Sequence, residues 1–164
     1  MNVIECILSR RSVRLYSSKI VEDDKIESIL RAGISAPSVH NTQPWKFKII
    51  NQKETICQVA QMSKGSAWLK SASSLIIVFL NKKESFHHLK DVQSCGAVIQ
   101  NMLLAAHAQD VSSCWVGDLL DNEYQLKELL QVDDMLELMG VVSIGYKRVN
   151  SKEPERKEIS EFII

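Results

Sequence analysis

Seven consecutive residues, Ser74-Leu75-Ile76-Ile77-Val78-Phe79-Leu80, form an apolar run with one hydroxyl and no charge. The run is far too short to cross a bilayer, and it has no polar face to turn toward water. It reads as a strand covered on both faces, which commits the chain to a sheet with packed layers above and below it. One cover follows directly. From Phe86 to Ala108 the residues Cys95, Ile99, Met102, Leu103 and Ala106 recur at helical spacing. Gly96, Ala97, Ala105 and Ala106 make the same segment rich in small residues, as expected of a central helix packed closely by its neighbours.

The remaining elements fall around this pair. Asn2 and Glu5 have the spacing of a capping box for a short helix ending near Arg10, with Ile4, Ile7 and Leu8 on one face. Glu22-Asp23-Asp24 announces a second helix with the stripe Ile26, Ile29, Leu30 and Ile34, which Pro37 ends. Trp45, Phe47 and Ile49 alternate with Lys46 and Lys48, predicting a half-buried strand. A helix over Thr55–Ser63, an apolar anchor at Trp68-Leu69, a strand over Ser113–Val116, a helix over about Asn122–Leu130 and a strand over Leu138–Ile144 complete the body. This is an α+β chain, one domain over residues 1–164, with one sheet of four or five strands. From Ser151 the tail is charged yet finishes in Phe162-Ile163-Ile164, so it either adds an edge strand or docks on a partner subunit.

Charge excludes some functions. With 20 basic and 20 acidic residues the formal charge is zero, so no nucleic-acid partner is expected. No stretch has the length of a membrane span, and Met1–Cys6 lacks the basic start and apolar core of a signal peptide, so the expectation is a cytoplasmic protein with no membrane partner. Cys6, Cys57, Cys95 and Cys114 are scattered and make no CxxC pair, so they read as reduced thiols. Neither they nor the histidines show ligand spacing, and no metal site is expected.

Two constellations carry chemistry. Arg10-Arg11-Ser12-Val13-Arg14 sets three guanidiniums and a hydroxyl within five residues. Arg is always charged, planar and bidentate toward phosphate, and an extended course would put Arg10, Ser12 and Arg14 on one side. By itself the run fits either a phosphate grip or a solvated basic patch. No GxGxxG run or Walker loop is present to cradle a phosphate with backbone amides. The second is the loop Ala36-Pro37-Ser38-Val39-His40-Asn41-Thr42-Gln43-Pro44-Trp45, dense in neutral hydrogen-bonding groups. Such groups suit the edge of a heteroaromatic ring, and equally a polar turn entering a strand.

Taken in order, these pieces resemble the nitroreductase family of FMN-dependent oxidoreductases. The resemblance rests on Arg10–Arg14, on Ala36–Ser38 through Asn41–Trp45, on Asp91 and Gly96–Asn101, on Ser113–Gly117, on Val142–Tyr146 and on Pro154–Lys157. It implies a nitroreductase-like fold of three α/β/α layers around a central, mostly antiparallel sheet. It also implies a homodimer with flavin at the subunit interface, which would make the tail from about residue 151 a reaching arm. Arg10, Arg11, Ser12 and Arg14 would grip the FMN phosphate and ribityl chain, joined by Arg156 and Lys157. Pro37, Ser38 and Val39 would lie against the ring from the other subunit, Asn41 and Gln43 would support the ring site, and Trp115, Val116 and Gly117 would bring backbone to the isoalloxazine.

The implied activity is hydride transfer from NADH or NADPH through flavin N5 to a nitroaromatic, a quinone or a flavin. The flavin carries that chemistry, so no side chain is assigned as catalytic. A non-catalytic FMN-binding sensor and a flavin-dependent dehalogenase or flavin-fragmenting relative are the alternatives. Two departures stand out. Family members have glycines just before the Ser-Cys-Trp stretch, where this chain has Gln109-Asp110-Val111-Ser112, putting side chains where the backbone needs unusual torsions or close approach. Only Asn81–Phe86 separate the central strand from the long helix, where larger members carry a helical excursion, which implies an open pocket and loose substrate choice.

Overall fold

The computed structural model describes residues 2–149 and 153–164. Four strands form one antiparallel sheet in the order β1-β2-β4-β3: β1 Trp45–Ile50, β2 Ser74–Asn81, β3 Ser112–Val116 and β4 Leu136–Gly145. The apolar run is β2, an interior strand buried from Ser74 through Leu80. Its side chains alternate between two cores. Leu75, Ile77 and Phe79 pack with Val59, Leu69, Leu119 and Leu126, from α3 (Lys53–Gln61), α4 (Ser66–Leu69), the 3-10 turn Asp118–Asn122 and α6 (Glu123–Leu130). Ile76, Val78 and Leu80 pack with Ile29, Val98, Ile99 and Met102, from α2 (Asp23–Ile34) and α5 (His88–Ala108). The layers are therefore α/β/α, with the 21-residue α5 as the long helix of one face.

The β2–β4 register slips by one residue between Val78 and Phe79, opposite Gly140. Gly140 has φ +156°, and a Cβ there would lie 2.5 Å from Trp115 Nε1. Glycine is required because the indole of Trp115 lies across the bulged strand.

Three expectations are corrected. The capping box of α1 (Val3–Ser9) forms, with Glu5 N–H on Asn2 Oδ1 at 2.9 Å and Asn2 N–H on Glu5 Oε2 at 3.0 Å. Its apolar stripe, however, stays in solvent: Ile4, Ile7 and Leu8 are exposed and only Cys6 is buried. In β1, Trp45 packs on the α5 face, but Ile49 is exposed and Ile50 turns to the other face, into the core that holds Ile56 of α3. An edge strand is covered only where a helix reaches it. The tail adds no strand among the described residues; Ile159–Phe162 is a single 3-10 turn with Ile159, Phe162 and Ile163 exposed. Its expected start at Ser151 lies outside the described residues.

Candidate functional site

α1 stops at Arg10, and the chain then runs alongside β3. Ser12 makes a one-residue parallel bridge to Ser113, and the Val13 N–H donates to the Ser113 carbonyl at 3.0 Å. Val13 and Tyr16 turn into the core, where the Tyr16 hydroxyl donates to the Val13 carbonyl (2.8 Å) and meets Ser143 Oγ (2.8 Å). That anchoring fixes the direction of the arginines. Arg10 and Arg11 line a hollow of about 290 Å³ together with His107, Asp110 and Lys147. Arg11 is committed within the protomer: its Nη1 donates to Leu8 O at 2.6 Å and its Nη2 pairs with Glu153 at 3.0 Å. Arg10 is different, because its Nε and Nη1 are buried without a hydrogen-bond partner among the described residues. Two buried, unpartnered guanidinium nitrogens beside a hollow are a donor set that fits an oxyanion such as phosphate.

Ser12 and Arg14 act beside this hollow, at Cys114. Burial pushes the Cys114 thiol up, while the charge of Arg14, a hydrogen bond with Ser12 and the charge of Arg10 pull the other way. Neither Ser12 nor Arg14 lines the hollow, whose wall along this segment comes from Arg10, Arg11 and Val13. Lys147 and His107 are site residues that no motif marked. Lys147 sits one residue past Tyr146, where β4 has ended, and only the fold brings it to Arg10. His107, in the last turn of α5, meets Ser9 Oγ at 2.8 Å. Burial, and then the charge of Arg10, lower its pKa; Asp110 opposes them, and Arg11 and Lys147 add to the lowering.

In the Gln109–Ser112 stretch, Asp110 takes φ +59° in the turn that ends α5, and the Val111 N–H returns to Ala106 O at 2.9 Å. The expected unusual torsion is therefore present and is borne by an aspartate at the edge of the hollow.

The polar loop is strained in the same sense, three times over. His40, Asn41 and Gln43 have φ of +50°, +56° and +49°. Non-glycine residues rarely adopt this region, and such clusters mark sites where geometry matters. Ser38 staples the loop, its Oγ accepting from the Gln43 N–H at 3.0 Å and its carbonyl from the Asn41 N–H at 3.1 Å. Asn41 and Gln43 are exposed, with Gln43 Nε2 on the Asn41 carbonyl at 3.4 Å. Pro37, Ser38 and Val39 line a shallow hollow of about 510 Å³ against Lys90, Gln93, Ser94 and Ala97 of α5.

This second hollow uses the beginning of α5 and the arginine hollow uses its end. Ser94 and His107 are separated by about 20 Å at 1.5 Å per residue. The arginines and the loop thus line separate hollows in this chain. Trp115 is half exposed across Gly140, Val116 is buried and can offer only backbone, and Gly117 is exposed with open space around it. Arg156 and Lys157 are exposed on the tail, with Lys157 paired to Glu161 at 3.2 Å.

Asp91, in the first turn of α5, is fully buried. Its Oδ2 accepts from the Ser85 hydroxyl (2.8 Å) and from the N–H groups of Phe86 and His87 (2.9 Å each). Burial alone would raise its pKa, but these three donors outweigh it and hold the carboxyl below its ordinary value. Among the described residues no three His, Cys, Asp or Glu side chains gather to hold a metal, and no helix is long and apolar enough to cross a membrane.

Known proteins share this architecture. The family model "Nitroreductase family" matches residues 7–146. A candidate NADH dehydrogenase/NAD(P)H nitroreductase of Archaeoglobus fulgidus is 34% identical over 88% of this chain and 85% of its own length. A protein of the same description from Methanothermobacter thermautotrophicus is 31% identical over 92% and 80%. Among solved structures, a candidate nitroreductase of Desulfovibrio desulfuricans in complex with FMN superposes with a TM-score of 0.95 at 32% identity, covering 100% of this chain and 96% of that one. With its family model, its relatives and its fold in agreement, the chain belongs to the nitroreductase family.

Proposed function

We propose that the chain is an FMN-dependent oxidoreductase acting as a homodimer, with NADH or NADPH as reductant and a small nitroaromatic, quinone or flavin as acceptor. When bound, FMN supplies an N5 that accepts hydride and hands electrons on to the acceptor. The single observation that carries this reading is the pair of buried, unpartnered nitrogens, Nε and Nη1, of Arg10 in a hollow shared with Arg11 and Lys147. In it, Arg10 and Lys147 hold the phosphate, and Ser12 and Arg14 continue the grip toward β3. Trp115 and the backbone at Val116 and Gly117 flank the ring.

The other half of the site comes from a second copy. The two hollows lie toward opposite ends of α5, which supports drawing Pro37, Ser38, Val39, Asn41 and Gln43 from the partner. The apolar residues left uncovered on α1 and on the tail, Ile4, Leu8, Phe162 and Ile163, suit burial against a partner. In such a dimer Arg156 and Lys157 would approach the phosphate from the tail.

The test is anaerobic. Purified protein should take up FMN, bleach with NADH or NADPH, and recover its colour on addition of a quinone or nitroaromatic. Arg14→Ala should weaken FMN retention. Colourless protein that takes up no FMN would sink the reading, and yellow protein that neither nicotinamide bleaches would be a flavin-binding sensor instead.

A further inference from the structure

We propose that Asp91 is a positioning residue for the 37–43 loop, acting through the edge-to-face contact between Phe86 and His40. The loop's ring-facing role belongs to the function proposed above; the clamp stands or falls on its own measurement.

Of the three left-handed residues, Asn41 and Gln43 are tied by their N–H groups to Ser38, and His40 lies between the tied ends. Each sits where an L side chain crowds the backbone, and without restraint the loop would relax. Its neighbour is the short connection from β2 to α5. The Asn81 N–H donates to the Pro44 carbonyl at 2.7 Å, and Lys46 pairs with Glu84 at 2.9 Å. These contacts hold the two segments together beyond the loop's exit at Pro44. Within the strained part, the ring contact is Phe86 against His40, with centroids 4.7 Å apart and planes at 84°.

Phe86 is 63% exposed, so the core does not orient its ring. Its backbone does. One oxygen of Asp91 accepts from residues 85, 86 and 87 in turn, which leaves the peptide units on both sides of Phe86 no freedom. The other oxygen is buried and unpartnered among the described residues. A buried carboxylate with one idle oxygen is a costly way to make a turn, since a half-satisfied buried charge loses its hydration. What the arrangement secures is a fixed origin for one aromatic side chain, whose ring meets the imidazole of a left-handed residue.

The chain has four histidines, so His40 is readily followed by its imidazole proton resonances, assigned with His40→Gln. Phe86→Leu removes the ring current and defines the unclamped position. Asp91→Ala is expected to move the His40 resonance most of the way toward that position. Asp91→Asn keeps a carbonyl oxygen for the three donors and is expected to stay near wild type. An unmoved resonance in Asp91→Ala would overturn the clamp. So would Asp91→Asn moving as far as Asp91→Ala, because general destabilisation would then be the cause. If Asp91→Ala does not fold, Ser85→Ala decides: it removes one of the three donors and should give a partial shift, whereas no shift overturns the proposal.

Discussion

Trp115 and Gly140 occupy one another's space: a Cβ on residue 140 would stand 2.5 Å from the indole nitrogen and 3.2 Å from Ile99 Cδ1. The bulge in β4 and the placement of the indole are therefore one feature. Gly140→Ala must push the ring outward or unbend the strand, at a cost of about 1–3 kcal/mol, the range for overpacking. Urea unfolding should show a lower midpoint with an unchanged slope, and the tryptophan emission of the folded state should shift. A midpoint equal to wild type would contradict the packing.

Arg10 should give two effects of opposite sign. Its buried Nε and Nη1 have no partner among the described residues, so in protein free of ligand the charge is a liability. Arg10→Met keeps the length and removes the charge. It should raise the melting temperature of flavin-free protein, by about 1 kcal/mol in stability given the residue's partial exposure, and abolish the rise that FMN gives to wild type. A variant that melts lower and still responds to FMN would show that the guanidinium serves another purpose.

Asp110→Gly should act on binding more than on stability. Aspartate visits left-handed backbone more readily than the ordinary residue that pays about 1–2 kcal/mol, and glycine loses about 0.5–1 kcal/mol through its greater freedom when unfolded, so the two effects nearly cancel in stability. The substitution also removes a negative charge from a hollow lined by Arg10, Arg11 and Lys147. FMN retention should tighten at low salt, and the gain should shrink as salt screens it. Equilibrium dialysis at two ionic strengths checks both signs.

His107 makes stability depend on pH in a stated direction. Burial and the neighbouring cations lower its pKa, so the fold favours neutral imidazole. The unfolded chain then binds the proton more readily, and stability is full above the ordinary histidine value of about 6.5 and declines as pH falls below it. His107→Gln should flatten the slope of melting temperature over about pH 7 to 5. Inorganic phosphate, by offsetting the positive field, should flatten it in wild type. A steeper slope in the variant would reverse the assignment.

How much could be read from residues alone depended on how local the cause was. β2 announced itself because seven apolar neighbours in a row leave no alternative, and α1 began where Asn2 and Glu5 sit at capping distance. The α1 stripe was legible as an apolar face, but periodicity does not report what covers a face, and the described residues leave this one exposed. At β1 the alternation broke after Phe47 because an edge strand outruns its helix. In the site, Arg10–Arg14 and the 37–43 loop were visible as dense chemistry. Lys147, His107 and the grip of Asp91 were not, since each matters through a residue distant along the chain. The left-handed torsions at His40, Asn41 and Gln43 carried no glycine to betray them.

The length of α5 has a genetic consequence. If a working site draws the arginine end from one chain and the loop end from the other, damage at the two ends is separable. A protomer bearing Arg10→Ala and a protomer with its 37–43 loop disrupted would each be inactive alone. Mixed together, they would assemble pairs in which both lesions fall on the same site and the second site is whole. Two dead proteins should complement each other, reaching about a quarter of wild-type activity if mixing is random and each intact site turns over independently.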